Sequence, residues 1–176
     1  MKFDIAIKKG CQELKENNIS SALLDSEILL SRVINKERKF ILLNLDQELN
    51  SDDQDNFKNL IKKRSKGVPI AHLTGTKSFW KSDFKVNNKV LIPRPETEVI
   101  IEQVLKIYKN KDKLNFLEVG IGSGCIILSL LKEKKYFLGT GIDLSEDCIR
   151  ICKYNATNLG VNSRLRLIKS NVDNLN

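Results

Sequence analysis

Residues 114–131 read LNFLEVGIGSGCIILSLL, and their order decides the fold. Leu114 to Val119 is a short apolar run of strand type. Gly120-Ile121-Gly122-Ser123-Gly124 is a glycine turn, and Cys125 to Leu131 opens a buried helix. Downstream, residues 136–142 predict a second strand ending at Asp143. Ser145 caps a helix that has Glu146 and Asp147 in its first turn and Gly160 at its end. Leu165 to Lys169 predicts a third strand. The order β-α-β-α-β specifies an α/β fold with a parallel sheet of doubly wound type.

A G-x-G-x-G loop alone can be no more than a tight strand-to-helix turn. Here it follows a strand and precedes a helix, and Asp143 stands at the end of the next strand, where nucleoside-binding folds place a ribose-binding carboxylate. No Lys-Ser/Thr follows the loop as in a P-loop, and the third glycine comes one residue too early for the dinucleotide form. Glu118, just before the loop, would repel a pyrophosphate but suits a ligand that carries an ammonium group near a ribose. S-adenosylmethionine has those features and no phosphate. Gly120, Gly122 and Gly124 let backbone approach such a ligand. Glu118 falls near its amino-acid end, and Asp143 accepts its ribose hydroxyls.

Upstream, residues 1–73 read as a small helical bundle. Phe3, Ile7, Cys11 and Leu14 recur at helical spacing, followed by Leu24, Ile28, Leu29, Val33 and Ile34 and the short block Phe40 to Leu45. Ser51 with Gln54 predicts a capping box for a further helix through Phe57, Leu60, Ile61 and Arg64, stopped by Gly67 and Pro69. Residues 74–92 predict a β-hairpin linker, with Phe84 and Val86 returning through Asn87-Asn88 to Val90–Ile92. Ile92-Pro93-Arg94-Pro95-Glu96-Thr97-Glu98 then enters a helix running to about Tyr108 and begins a second domain, 93–176. Arg94 and Glu96 fit either the lining of a ligand cleft or a linker salt bridge or cap.

The chain's 176 residues are 41% hydrophobic and 30% charged, which excludes disordered and collagen-like classes. No apolar run reaches the roughly 20 residues of a spanning helix, and MKFDIAIKKG lacks the apolar stretch of a signal peptide, so a cytoplasmic protein without a membrane partner is expected. Net charge is +8, spread over both halves and carried mostly by lysine, so direct nucleic-acid binding is not expected. Cys11, Cys125, Cys148 and Cys152 form no C-x-x-C pair, and His72 stands far from them in sequence, so no metal site is expected. Packing roles suit His72 and Trp80.

Leu73-Thr74-Gly75, Phe79-Trp80, LIPRPETE at 91–98, LEVGIGSG at 117–124 and Gly141-Ile142-Asp143 together resemble the HemK/PrmC family of protein-(glutamine N5) methyltransferases. The resemblance implies an N-terminal helical bundle that recognises substrate, a hairpin, and the first half of a Rossmann-like class I methyltransferase domain. It implies S-adenosylmethionine as cofactor and class-I peptide chain release factors, at the glutamine of Gly-Gly-Gln, as partners. The family's cofactor site carries over to Glu118, Gly120, Ile121, Gly122, Ser123, Gly124, Asp143, Asn171 and Val172, the last two beside the adenine. Asn171 stands where relatives usually have Asp, and Val172 offers no stacking face. The family's catalytic Asn-Pro-Pro-Tyr does not occur in these 176 residues, so no catalytic residue is assigned and a C-terminally truncated enzyme is expected. Two other readings stay open: an adenine-N6 nucleic-acid methyltransferase, and a non-catalytic fragment that binds release factor or nothing.

Overall fold

A computed structural model describes residues 1–174. The chain divides into two compact units, Met1–Thr74 and Gly75–Asn176.

The first unit is helical: α1 (Phe3–Glu16), α2 (Ala22–Ile34), α3 (Arg38–Leu43), α4 (Ser51–Ser65) and α5 (Ile70–Thr74). Phe3, Ile7 and Leu14 of α1 meet Leu29 and Leu30 of α2 and Phe57 and Ile61 of α4 in one core. The cap of α4 is one residue earlier than the sequence predicts. Asn50 accepts the Asp53 N–H at 2.8 Å and donates its amide to Asp53 Oδ2 at 2.8 Å, a reciprocal pairing that Ser51 cannot make from inside the helix. Arg64 turns inward to Asp25 at 2.7 Å, where Ser21 Oγ also donates to the carboxylate. Removing one partner of such a buried pair costs far more than the pair contributes.

Gly10 marks the close approach of α1 to its neighbours. A Cβ there would lie 2.6 Å from Ser26 Oγ and 2.9 Å from Ile61 Cδ1. Gly10→Ala is therefore expected to destabilise this unit by about 1–3 kcal/mol, because overpacking outweighs the gain of roughly 1 kcal/mol in helix propensity. Urea denaturation checks it, and a more stable variant would show that the three helices can part at no cost.

The second unit begins with a hairpin, β1 (Thr76–Phe79) and β2 (Ser82–Lys85), paired antiparallel with Phe79 opposite Ser82. This corrects the predicted turn. The chain reverses at Trp80-Lys81, with Trp80 at φ +53°, and Asn87-Asn88 makes only a local turn in which Asn87 Oδ1 accepts the Lys89 N–H. Residues 90–92 form no strand. The reason is burial: Phe79 and Phe84 pack edge to face, both in the core of the second unit, and this register points both inward. The segment 74–92, expected as a linker, thus contributes core side chains to that unit.

One turn of 3-10 helix at Pro95–Thr97 leads into α6 (Glu98–Ile107). Then follow β3 (Lys113–Val119), α7 (Cys125–Glu133), β4 (Tyr136–Asp143), α8 (Glu146–Asn158) and β5 (Leu165–Lys169). The three strands are parallel in the order β3-β4-β5. Because the order steps steadily one way, right-handed crossovers put α7 and α8 on the same face. Ile127 of α7 and Cys152 of α8 share a core there with Phe137 and Phe116. Leu117, Val119 and Leu138 point to the opposite face and remain about half exposed. The described residues therefore make one wound half of a doubly wound sheet.

Candidate ligand-binding site at the glycine loop

The loop after β3 is held in shape by backbone conformation and by Asp143. Gly120, Gly122 and Gly124 have φ of +76°, +53° and +80°, a region that side chains disfavour. At Gly124 space is also a constraint, since a Cβ would lie 2.5 Å from Cys152 Sγ. Asp143, at the end of β4, receives the Gly122 N–H on Oδ2 at 3.0 Å and the Ser145 N–H on Oδ1 at 2.9 Å. Each oxygen keeps a free lone pair, so the carboxylate can still accept two hydroxyls.

Glu118 has two tasks. Its Oε2 accepts the Ile127 N–H at 2.8 Å and so caps the first turn of α7, which begins after a glycine and lacks a side-chain cap of its own. Burial pushes its carboxyl up to about 7, the Ile127 N–H opposing only in part. Burial likewise lifts the Cys125 thiol to about 11 and Cys152 to about 12, with the Glu118 charge adding to both. Both stay protonated near neutrality and are packing groups rather than nucleophiles.

A cavity of about 380 Å³ opens at this end of β3. Glu118, Gly120, Ile121, Gly122 and Ser123 line it together with residues 91–94 and Thr97. The Ser123 hydroxyl is buried and makes no hydrogen bond of good geometry, its close polar neighbour being the Cys125 thiol. Of the residues expected from sequence, Gly124, Asp143, Asn171 and Val172 do not line this cavity. Asp143 reaches it through Gly122. Asn171 and Val172 follow β5 at the same end of the sheet, where Ser170 N–H bonds the Asp143 carbonyl at 3.2 Å, and Val172 is exposed. Arg94, one of two open readings from sequence, lines the cavity and makes no ion pair among the described residues, whereas Glu96 does not line it.

One residue went unnoticed in the sequence. Asn155 of α8, 2% exposed, accepts the Lys85 N–H at 2.8 Å and donates to the Lys85 and Ser123 carbonyls at 3.1 and 2.9 Å. It ties the hairpin and α8 to the glycine loop. A polar residue on the buried face of an amphipathic helix is the only trace it leaves in sequence.

Parallel sheet, glycine loop and strand-end aspartate together are those of the first half of a Rossmann-like α/β domain. Residues 6–75 match the family model described as PrmC N-terminal domain. Release factor glutamine methyltransferase of Leptospira interrogans is 38% identical over 168 residues, covering 94% of this chain and 59% of that protein. The Caulobacter vibrioides protein of the same name is 34% identical over 155 residues, covering 88% of this chain and 54% of that one. A solved S-adenosyl-L-homocysteine complex of a methyltransferase from Geobacter sulfurreducens shares 27% identity over 44% of this chain and 29% of its own, with a TM-score of 0.37. Over most of its length the chain is similar to release factor glutamine methyltransferases, and the match to the PrmC N-terminal domain model falls on its helical unit. It spans about half the length of these curated relatives.

Proposed function

We propose that this chain provides the helical domain and the methyl-donor-binding half of a protein-(glutamine N5) methyltransferase acting on class-I peptide chain release factors. S-adenosylmethionine, when bound, supplies an electrophilic methyl group on a sulfonium. The observation that carries the reading is the cavity lined by Glu118, residues 91–94 and the glycine loop that Asp143 holds. The donor set fits that cofactor. Asp143 retains lone pairs for a ribose diol, Glu118 retains an oxygen for an ammonium group, and no cluster of cations lines the cavity to attract a phosphate.

The residues of this chain would bind and orient the donor, which is where much of the rate of a group transfer between two substrates originates. The amide of a glutamine is a weak nucleophile, so holding it in line with the methyl group is the other half of the task, and the helical unit would hold the release factor for it. Such a reaction belongs in the cytoplasm, where translation takes place. Among the described residues no helix is long and apolar enough to cross a membrane.

Calorimetric titration of the chain with S-adenosylmethionine tests the reading. Saturable one-to-one binding is expected, weakened at least tenfold in Asp143→Asn, whose single amide oxygen can accept only one of the Gly122 and Ser145 N–H groups. Circular dichroism establishes that both proteins are folded. A folded wild-type chain that takes up no S-adenosylmethionine, or an affinity indifferent to Asp143, would overturn it.

A further inference from the structure

Read along the chain, the positive charge is spread over both halves, but the fold of the second unit gathers much of it in one place. Residues 106–113 carry four lysines and one aspartate, residues 132–136 three lysines and Glu133, and residues 162–164 one arginine. These three segments hold six of the chain's eight net charges. Each segment leads into a strand of the parallel sheet, so all three lie at the end of the sheet opposite the glycine loop.

Hydrogen bonds knit the segments together. Lys134 Nζ donates to the Lys109 carbonyl at 3.0 Å, and Arg164 donates to the Lys134 carbonyl at 2.8 Å. The Lys111 N–H closes a turn on the Tyr108 carbonyl at 3.0 Å. Lys106, Lys109, Lys111, Lys113 and Lys135 are exposed, and among the described residues none of them has a carboxylate partner. Glu133, the acid of the second segment, is already taken by Lys81 at 2.8 Å and by the Trp80 indole N–H at 2.7 Å. Unpaired like charges gathered on one surface repel one another, and a partner of opposite charge offsets that cost.

An open aromatic ring stands among these cations. Tyr136 is 56% exposed, Lys135 Nζ lies 5.5 Å from its ring centre, and Lys113 is its register partner across the sheet. Phosphates need cations and unstacked bases need a flat surface, so this combination fits a nucleic-acid strand better than an acidic protein, which would leave the ring unused. We propose that the strand-entry end of this sheet binds a single-stranded polynucleotide, with the lysines of 106–113 and Lys135 along its backbone and Tyr136 against a base. The surface is separate from the glycine loop, so the proposal stands or falls independently of the methyl-donor site.

Fluorescence anisotropy of the full chain with labelled uridine and thymidine oligomers of about twelve nucleotides tests it. Saturable binding is expected, with log affinity falling linearly in log salt. The triple variant Lys109→Gln, Lys111→Gln, Lys135→Gln removes three exposed cations whose ammonium groups make no hydrogen bond among the described residues. It is expected to weaken binding roughly tenfold or more and to reduce the salt slope by about 2. Lys9→Gln, Lys62→Gln, Lys63→Gln removes the same charge from exposed positions of the helical unit and is expected to leave affinity within about twofold. Tyr136→Ala is expected to cost roughly fivefold or more with no change in slope. Circular dichroism establishes that each variant is folded. Tighter binding of the uridine oligomer identifies RNA as the source of the strand, and tighter binding of the thymidine oligomer identifies single-stranded DNA. Equal loss in the two triple variants, an affinity indifferent to Tyr136, or polyglutamate that competes as well as the uridine oligomer overturns the proposal. So does a folded wild-type chain that binds neither oligomer.

Discussion

Replacing Asn155 with alanine is expected to lower the unfolding free energy of the second unit by about 3–4 kcal/mol. The side chain makes three hydrogen bonds from a buried position, to both backbone groups of Lys85 and to the Ser123 carbonyl. Truncation leaves one N–H and two carbonyls short of partners, and each buried group so orphaned costs roughly 1–3 kcal/mol, less what relaxation and water recover. Asn155→Asp separates the contributions. An aspartate still accepts the Lys85 N–H but cannot donate to either carbonyl, and its charge sits in a buried site, so it is expected to be no better than alanine. Because Ser123 belongs to the glycine loop, Asn155→Ala should also weaken S-adenosylhomocysteine binding, whereas Gly10→Ala in the helical unit should not. Urea titration followed by circular dichroism reads the first effect and calorimetry the second. A cost below about 1 kcal/mol would show that the hairpin and loop hold their places without this amide.

Asn155 also shows where sequence reading stops. The glycine loop, the strand before it and the helix after it were legible because hydrophobic period, turn chemistry and a strand-end acid all fall within thirty residues and agree. Asp143 was legible for the same reason, yet its occupation by the Gly122 and Ser145 N–H groups was not, since hydrogen bonds of that kind depend on how the loop folds back. Asn155 to Lys85 spans 70 residues and Arg64 to Asp25 spans 39. No local pattern encodes either. The hairpin was misplaced by a real signal: Asn87-Asn88 is good turn chemistry, and Trp80 at φ +53° is poor turn chemistry. Burial of Phe79 and Phe84 decides the matter, because shifting the register by one residue would turn that face outward. The cap of α4 differs by one residue, since Asn50 and Ser51 are both competent caps and only geometry separates them.

Glu118→Gln is expected to stabilise the protein above neutrality while impairing the site. Burial raises the pKa of the carboxyl from 4.5 to about 7, so the folded protein binds a proton that the unfolded chain has already released. Folding stability therefore falls as pH rises from about 4.5 to about 7, and it is the ionised form that the fold penalises. Glutamine keeps an oxygen for the Ile127 N–H and carries no charge to desolvate. At about 1.4 kcal/mol per unit the advantage of the variant has a ceiling of about 3 kcal/mol, and water reaching the cavity trims it to roughly 2 kcal/mol. The two proteins should be equally stable near pH 4, diverge between pH 5 and 7, and run parallel above pH 8. Binding should show the opposite order. An ammonium group is attracted only by the ionised carboxylate, so wild-type affinity for S-adenosylhomocysteine rises with pH across that same window and the rise vanishes in Glu118→Gln. Stability curves that stay parallel from pH 4 to 8 would show that Glu118 titrates normally. If the stability curves do diverge, the folded chain bears a carboxylate that caps α7 as well when neutral and is kept ionisable at a cost in stability. A purely structural capping role does not require that cost, whereas recognition of a cation does.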